Sequence, residues 1–138
     1  LHLCDRRQRQ MCIRDRSGLL DPSAFTQVSD KISSFLYEKC GWAYFDNKDF
    51  EQSEKVKSLA LVRHADRWTQ NTFLTDGNTN TFTKQMEEVT SVFEKAGVKV
   101  TKVDYAEKNA VLNHEYQFDF SNKQAQETYQ KLVMFFKE

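Results

Sequence analysis

A chain of 138 residues in which 20 Lys and Arg balance 20 Asp and Glu carries no formal net charge at pH 7, and it is long enough for one modest hydrophobic core but not for two. It contains no run of about 18 apolar residues of the kind that spans a bilayer as a helix. The balanced charge also gives no reason to expect nucleic acid as a partner.

Five of the seven arginines fall in the first sixteen residues, LHLCDRRQRQMCIRDR. That stretch lacks the apolar core of a secretory signal, and it carries Asp5 and Asp15, which a mitochondrial presequence avoids. Its string RQRQMCIRDR resembles the translated read-through of a sequencing adapter, so residues 1–16 are expected to be an artefactual or disordered leader outside the fold. The remaining chain has fifteen basic and eighteen acidic residues, a net charge of about −3. Without Cys4 and Cys12 only Cys40 remains, which leaves no disulfide framework and no cysteine metal cluster. Cys40 itself reads as a helix-end residue.

Residues 17–57 read as a helix and a loop. Asp21-Pro22-Ser23 has the cap-then-proline order that opens a helix, Val28, Ile32, Phe35 and Leu36 share one face, and Gly41 is expected to stop it. From Trp42 to Asp49, aromatic residues mixed with Asp and Asn predict a loop over a surface cleft. Trp42, Tyr44 and Phe45 could form an exposed patch for a binding partner, line an acyl pocket or pack on a further part of the fold.

Residues 58–138 alternate between strand and helix patterns. Ser58-Leu59-Ala60-Leu61-Val62 predicts a strand buried on both faces, ending at Arg63-His64-Ala65-Asp66. A polar stretch from Thr69 to Thr81 leads to a helical stripe of Phe82, Met86, Val89, Val92 and Phe93, closed by Ala96-Gly97. Val98, Val100, Val103 and Tyr105 predict the next strand, and residues 106–113 form a loop to His114. Tyr116, Phe118 and Phe120 alternate, and Asn122 caps a final helix with Ala125, Tyr129, Leu132, Val133 and Phe136 on one face. A single helix between two strands implies parallel pairing, hence an α/β fold with a partial parallel sheet and flanking helices. Two strands are too few for a stable sheet, so others are expected from elsewhere.

Polar residues at the carboxyl ends of parallel strands face the crevice where ligands bind, which singles out Asp66 and His114. A carboxylate after one strand and a histidine after the next can meet there, the acid fixing the imidazole tautomer and stabilising its protonated form. Indeed SLALVRHADRW, the helix ending EKAGVKV, then VDYAEKNAVLNHEYQFDF and the closing QETYQKLVMFFKE resemble the C-terminal third of α/β-hydrolase serine esterases. The resemblance implies the C-terminal β-α-β-α of that fold over residues 58–138, with Asp66 as the acid, His114 as the general base and a small-molecule ester as substrate. It calls for no cofactor and no metal. The stretch WTQNTFLTDGNTNT is longer than the family usually has at that place, and it makes Asp76 a second candidate for the acid. The Gly-x-Ser-x-Gly nucleophile elbow that precedes the acid in such enzymes is not in the sequence, so the serine is expected to lie outside it.

Two further motifs compete. LVRHAD resembles the start of the histidine phosphatases, which would make His64 a phosphorylated nucleophile and Arg63 a holder of phosphoryl oxygens. In DGNTNTFTKQME, residues Asp76, Asn78, Asn80 and Glu87 stand at positions 1, 3, 5 and 12 of a calcium-loop pattern, although position 6 is Thr81 where that loop needs glycine.

Overall fold

The sheet is organised around Asn71–Thr75 (β2), in which Phe73 and Leu74 are both wholly buried and, as successive strand residues, turn to opposite faces. The structure is a computed structural model that describes residues 12–16, 20–26, 31–106 and 110–137, with 12–16 and 31–33 described by backbone alone. Cys12–Arg16 (β1) and Val100–Val103 (β3) flank β2, both parallel to it, giving the order β1-β2-β3. Thr72 stands opposite Val100 and Thr75 opposite Val103, so β2 and β3 end side by side.

Each face of β2 carries a helix. Leu74 packs with Met86, Val89 and Phe93 of Thr83–Lys95 (α3), joined by Leu20, Ala65 and Val98. On the other face Phe73 packs with Val103 and with Leu132 and Phe135 of Lys123–Phe135 (α4). The result is an α/β arrangement of three layers, which hides the two apolar side chains of β2 from water on both sides. The helix α3 ends as its sequence implies. Gly97 takes a left-handed φ of 82°, its N–H bonds the Glu94 carbonyl at 3.0 Å, and the Val98 N–H bonds that of Phe93 at 2.9 Å.

Several elements differ from expectation. Ser58–Val62 is not a strand: Glu54–Lys57 (α2) is one helical turn, and Leu61–Arg67 winds as a 3-10 helix. Leu61 and Val62 pack on the core, but Leu59 is 52% exposed, so the run lacks the two-sided burial of a central strand. The strand lies instead in the Thr-rich stretch that reads as polar.

Asp21 and Pro22 begin only a 3-10 turn, Pro22–Ala24, in which the Asp21 carboxylate accepts from the Ser23 N–H at 2.9 Å and from its hydroxyl at 2.7 Å. The main helix, Lys31–Phe45 (α1), runs through Gly41 rather than stopping there. A Cβ at Gly41 would overlap the edge of the Phe50 ring, so this glycine serves close packing. The helix stops at Asp46, which has a left-handed φ of 49°. Of the apolar face expected of this helix, Val28 and the Ile32 side chain lie outside what the structure describes, and Phe35 and Leu36 are exposed.

In α4 the Asn122 side chain caps the helix by accepting from the Gln124 N–H at 2.8 Å. Its buried stripe is Ala125, Thr128, Leu132 and Phe135, whereas Tyr129 and Phe136 are exposed. Residues 12–16, set aside as part of the leader, supply the sheet's third strand. Among the described residues no helix is long and apolar enough to cross a membrane.

Candidate functional site

Asp76 follows directly on β2 and is 2% exposed. One carboxylate oxygen accepts from the Gly77 N–H at 2.8 Å, and the other from the Phe82 N–H at 3.0 Å and the Thr83 hydroxyl at 3.1 Å. The carboxylate thus satisfies donors at the start of α3, where the helix dipole also favours a negative charge. Each of its oxygens has two lone pairs, so these contacts leave it able to accept from an imidazole N–H as well.

The two residues after Asp76 bind the loop that carries His114. The Asn78 N–H donates to the Leu112 carbonyl at 2.9 Å, its side-chain oxygen accepts from the Leu112 N–H at 2.8 Å, and its amide nitrogen donates to the Ala110 carbonyl at 2.8 Å. Gly77 lies so close to the Leu112 and Asn113 carbonyls that a Cβ would overlap them. His114 comes next, partly buried, with its ring edge-on to Phe82 at a centroid distance of 5.7 Å and its Nε2 3.9 Å from a Glu115 carboxylate oxygen. Phe82 therefore touches both candidate residues, holding Asp76 by its backbone and His114 by its ring.

Behind this pair stands an aromatic stack that the sequence did not reveal. Tyr37 of α1 stacks between Phe25 at 4.7 Å and Phe82 at 6.1 Å. Burial, followed by the nearby Glu115, Cys40 and Asp76, pushes the Tyr37 phenol above its ordinary pKa. A helix and a distant loop meet here, so no spacing within one segment could have signalled it. In front of His114 opens a cleft of about 590 Å³ bordered by the 79–81 and 111–122 segments.

Tyr116 ties the same loop to β2. Its hydroxyl lies 2.7 Å from that of Thr75, the residue before Asp76, and 2.7 Å from that of Thr128 on α4, which is also 3.1 Å from the Tyr105 hydroxyl. Tyr116→Phe is expected to cost about 1–2 kcal/mol at neutral pH, the usual worth of a buried hydroxyl with good partners. Burial raises the Tyr116 pKa, against the lowering effect of its two threonine bonds. A raised folded-state value means that the phenol stabilises fully below the ordinary tyrosine pKa and that this contribution is lost as pH rises through the raised one. Urea midpoints at about pH 9 and about pH 11 should therefore fall more for the wild type than for the Phe variant.

The other sequence candidates lie elsewhere. Asp66 is on the 3-10 helix before β2 with its side chain 74% exposed, and its carboxylate is 3.9 Å from Arg67 Nε. It does not follow a strand, because Ser58–Val62 is not one, and the aspartate directly after β2 is Asp76. Arg63 and His64 are exposed on the same 3-10 helix, with His64 Nε2 2.9 Å from the Ser58 carbonyl, a contact in which that nitrogen must be the donor. The calcium-loop pattern does not close into a site. Asp76 and Asn78 bind backbone groups, Glu87 points to solvent from α3, and no group of three or more His, Cys, Asp or Glu side chains among the described residues could hold a metal. Cys40 lies within α1, exposed, rather than at its end. Lys39 Nζ sits 3.6 Å from the Trp42 ring centroid, Phe45 stacks on Phe50 at 5.4 Å, and Tyr44 is 83% exposed.

Fold and site together define an α/β protein with a buried aspartate and a histidine loop joined at the carboxyl edge of its parallel sheet. Comparisons with protein-family models, curated proteins and solved structures found no match to this chain.

Proposed function

We propose that this chain contributes the acid and the histidine of a Ser-Asp-His ester hydrolase of the α/β-hydrolase type, with Asp76 as the acid, His114 as the general base and the serine supplied by residues beyond these 138. The observation that carries this reading is the attachment of the His114 loop to the segment immediately after Asp76, through the three Asn78 hydrogen bonds and the close approach of Gly77, at the ends of adjacent parallel strands. In such a site the imidazole takes the serine proton as the hydroxyl attacks the ester carbonyl, then gives it to the departing alcohol. A water activated by the same imidazole releases the acid and regenerates the serine. The aspartate holds the tautomer and stabilises the imidazolium.

The 138-residue chain alone is expected to show no ester hydrolysis, because its sequence has no Gly-x-Ser-x-Gly elbow to supply the nucleophile. Turnover of p-nitrophenyl acetate by the purified chain that vanishes in His114→Ala would overturn the assignment of the serine to residues elsewhere. Expression together with the adjoining upstream reading frame is expected to give an enzyme labelled by a fluorophosphonate, in which His114→Ala lowers kcat by about 10⁴-fold or more. An enzyme that hydrolyses esters equally well without His114 would end the reading.

A further inference from the structure

The cleft beside His114 differs sharply in chemistry from a site for a fatty chain. Thr79, Thr81, Asn113, Glu115, Asp119 and Asn122 all border it. Leu112 and Tyr116 also do so, but they are 1% and 4% exposed, and the Tyr116 hydroxyl is turned to Thr75 and Thr128. Among the described residues of its lining, that leaves Val111, 81% exposed, as the apolar side chain with most surface to offer. Binding an acyl chain of several carbons requires apolar walls, and among the described residues one valine at the rim does not provide them.

Resting on the hydrolase reading of Asp76 and His114, we propose that this cleft receives a neutral polyhydroxylated alcohol, such as a sugar, and that the substrates are esters of carbohydrates. Hydroxyl groups of a sugar are both donors and acceptors. They match a wall of carboxylates, an amide carbonyl and threonine hydroxyls, which together offer acceptors and donors within one cavity. The carboxylates of Glu115 and Asp119 also repel anionic headgroups and fatty carboxylates. Asp119 already turns one oxygen to the Ser121 N–H and hydroxyl, at 3.1 and 2.6 Å, and this fixes the carboxylate at the cleft wall. The leaving alcohol would then sit next to His114, the group that must protonate it.

The test uses the isotopically labelled 138-residue chain, titrated separately with an acetylated methyl glucoside and with methyl hexanoate. Saturating amide shifts at Thr79, Asn113 and His114 are expected with the sugar ester, at a Kd about tenfold or more below that of the hexanoate. Asn113→Leu, an exposed position on the cleft wall, is expected to weaken the sugar ester and to strengthen the hexanoate. Preference for methyl hexanoate at the same amides would overturn the substrate class, as would the absence of shifts with either ester. Both outcomes are separable from failure of the hydrolase reading, which shows as unchanged activity of the His114→Ala enzyme.

Discussion

Asp76→Ala is expected to lower the free energy of unfolding by about 3 kcal/mol or more, because three donors lose their acceptor at once and an unsatisfied buried donor costs about 1–3 kcal/mol. The Phe82 N–H belongs to a residue that is 6% exposed, so water cannot replace the carboxylate without opening the start of α3. The Thr83 hydroxyl is less buried and recovers part of its loss from solvent. Asp76→Asn keeps one acceptor and turns an amide donor toward other donors, so its effect should fall between alanine and wild type. Asp66→Ala, at an exposed side chain with one weak ionic contact, should stay within about 0.5 kcal/mol. Urea denaturation of the three variants decides the matter. Equal small losses at both aspartates would contradict the buried carboxylate at the end of β2.

Gly77→Ala is the second substitution with a large expected effect, about 3 kcal/mol or more by overpacking. The atoms a new Cβ would meet are the Leu112 and Asn113 carbonyl groups, which belong to the backbone and cannot rotate away as a side chain would. Relief requires the loop to leave the strand end, and that motion also breaks the Asn78 bonds and displaces His114. The His114 ring resonances should shift together with the fall in stability. Gly97→Ala is the control. Nothing lies within 4 Å of its added methyl group, so the cost there is only that of a left-handed φ of 82°, about 1 kcal/mol. A Gly77 variant as mild as the Gly97 variant would mean that the loop does not pack on residue 77.

The pair of glycines also shows where local pattern is informative. Gly97 follows a helical stripe, and its role as a helix stop can be read from that position alone. Gly41 follows a similar stripe, yet the helix continues through it, since its constraint comes from the Phe50 ring nine residues later. The two aspartates teach the same lesson. Asp66 stood after a continuous apolar run, the usual mark of a buried strand, while Asp76 stood among threonines and asparagines. Thr72 and Thr75 are buried nonetheless, because the Trp68 indole N–H and the Tyr116 hydroxyl reach their side chains. Partners of that kind let a polar β-branched residue occupy a central strand, and hydrophobic periodicity cannot register them.

By itself the sequence determined the parts whose causes are local: the α3 stripe and its glycine stop, the β-branched strand Val100–Val103, the Asn122 cap and the placement of His114 on a loop after a strand. The expected pairing of two strands around one helix gave the parallel α/β class, but with its first strand placed at Ser58–Val62 and not at Asn71–Thr75. Tertiary structure alone decided which segment became the central strand, which aspartate stands at its end, and that Tyr37, Phe82 and Asn78 surround the histidine loop. Those choices depend on burial and hydrogen bonding between residues far apart in the chain, such as Asn78 with Leu112 and Thr75 with Tyr116. No local window contains both partners, so only folding brings their interaction energy into play.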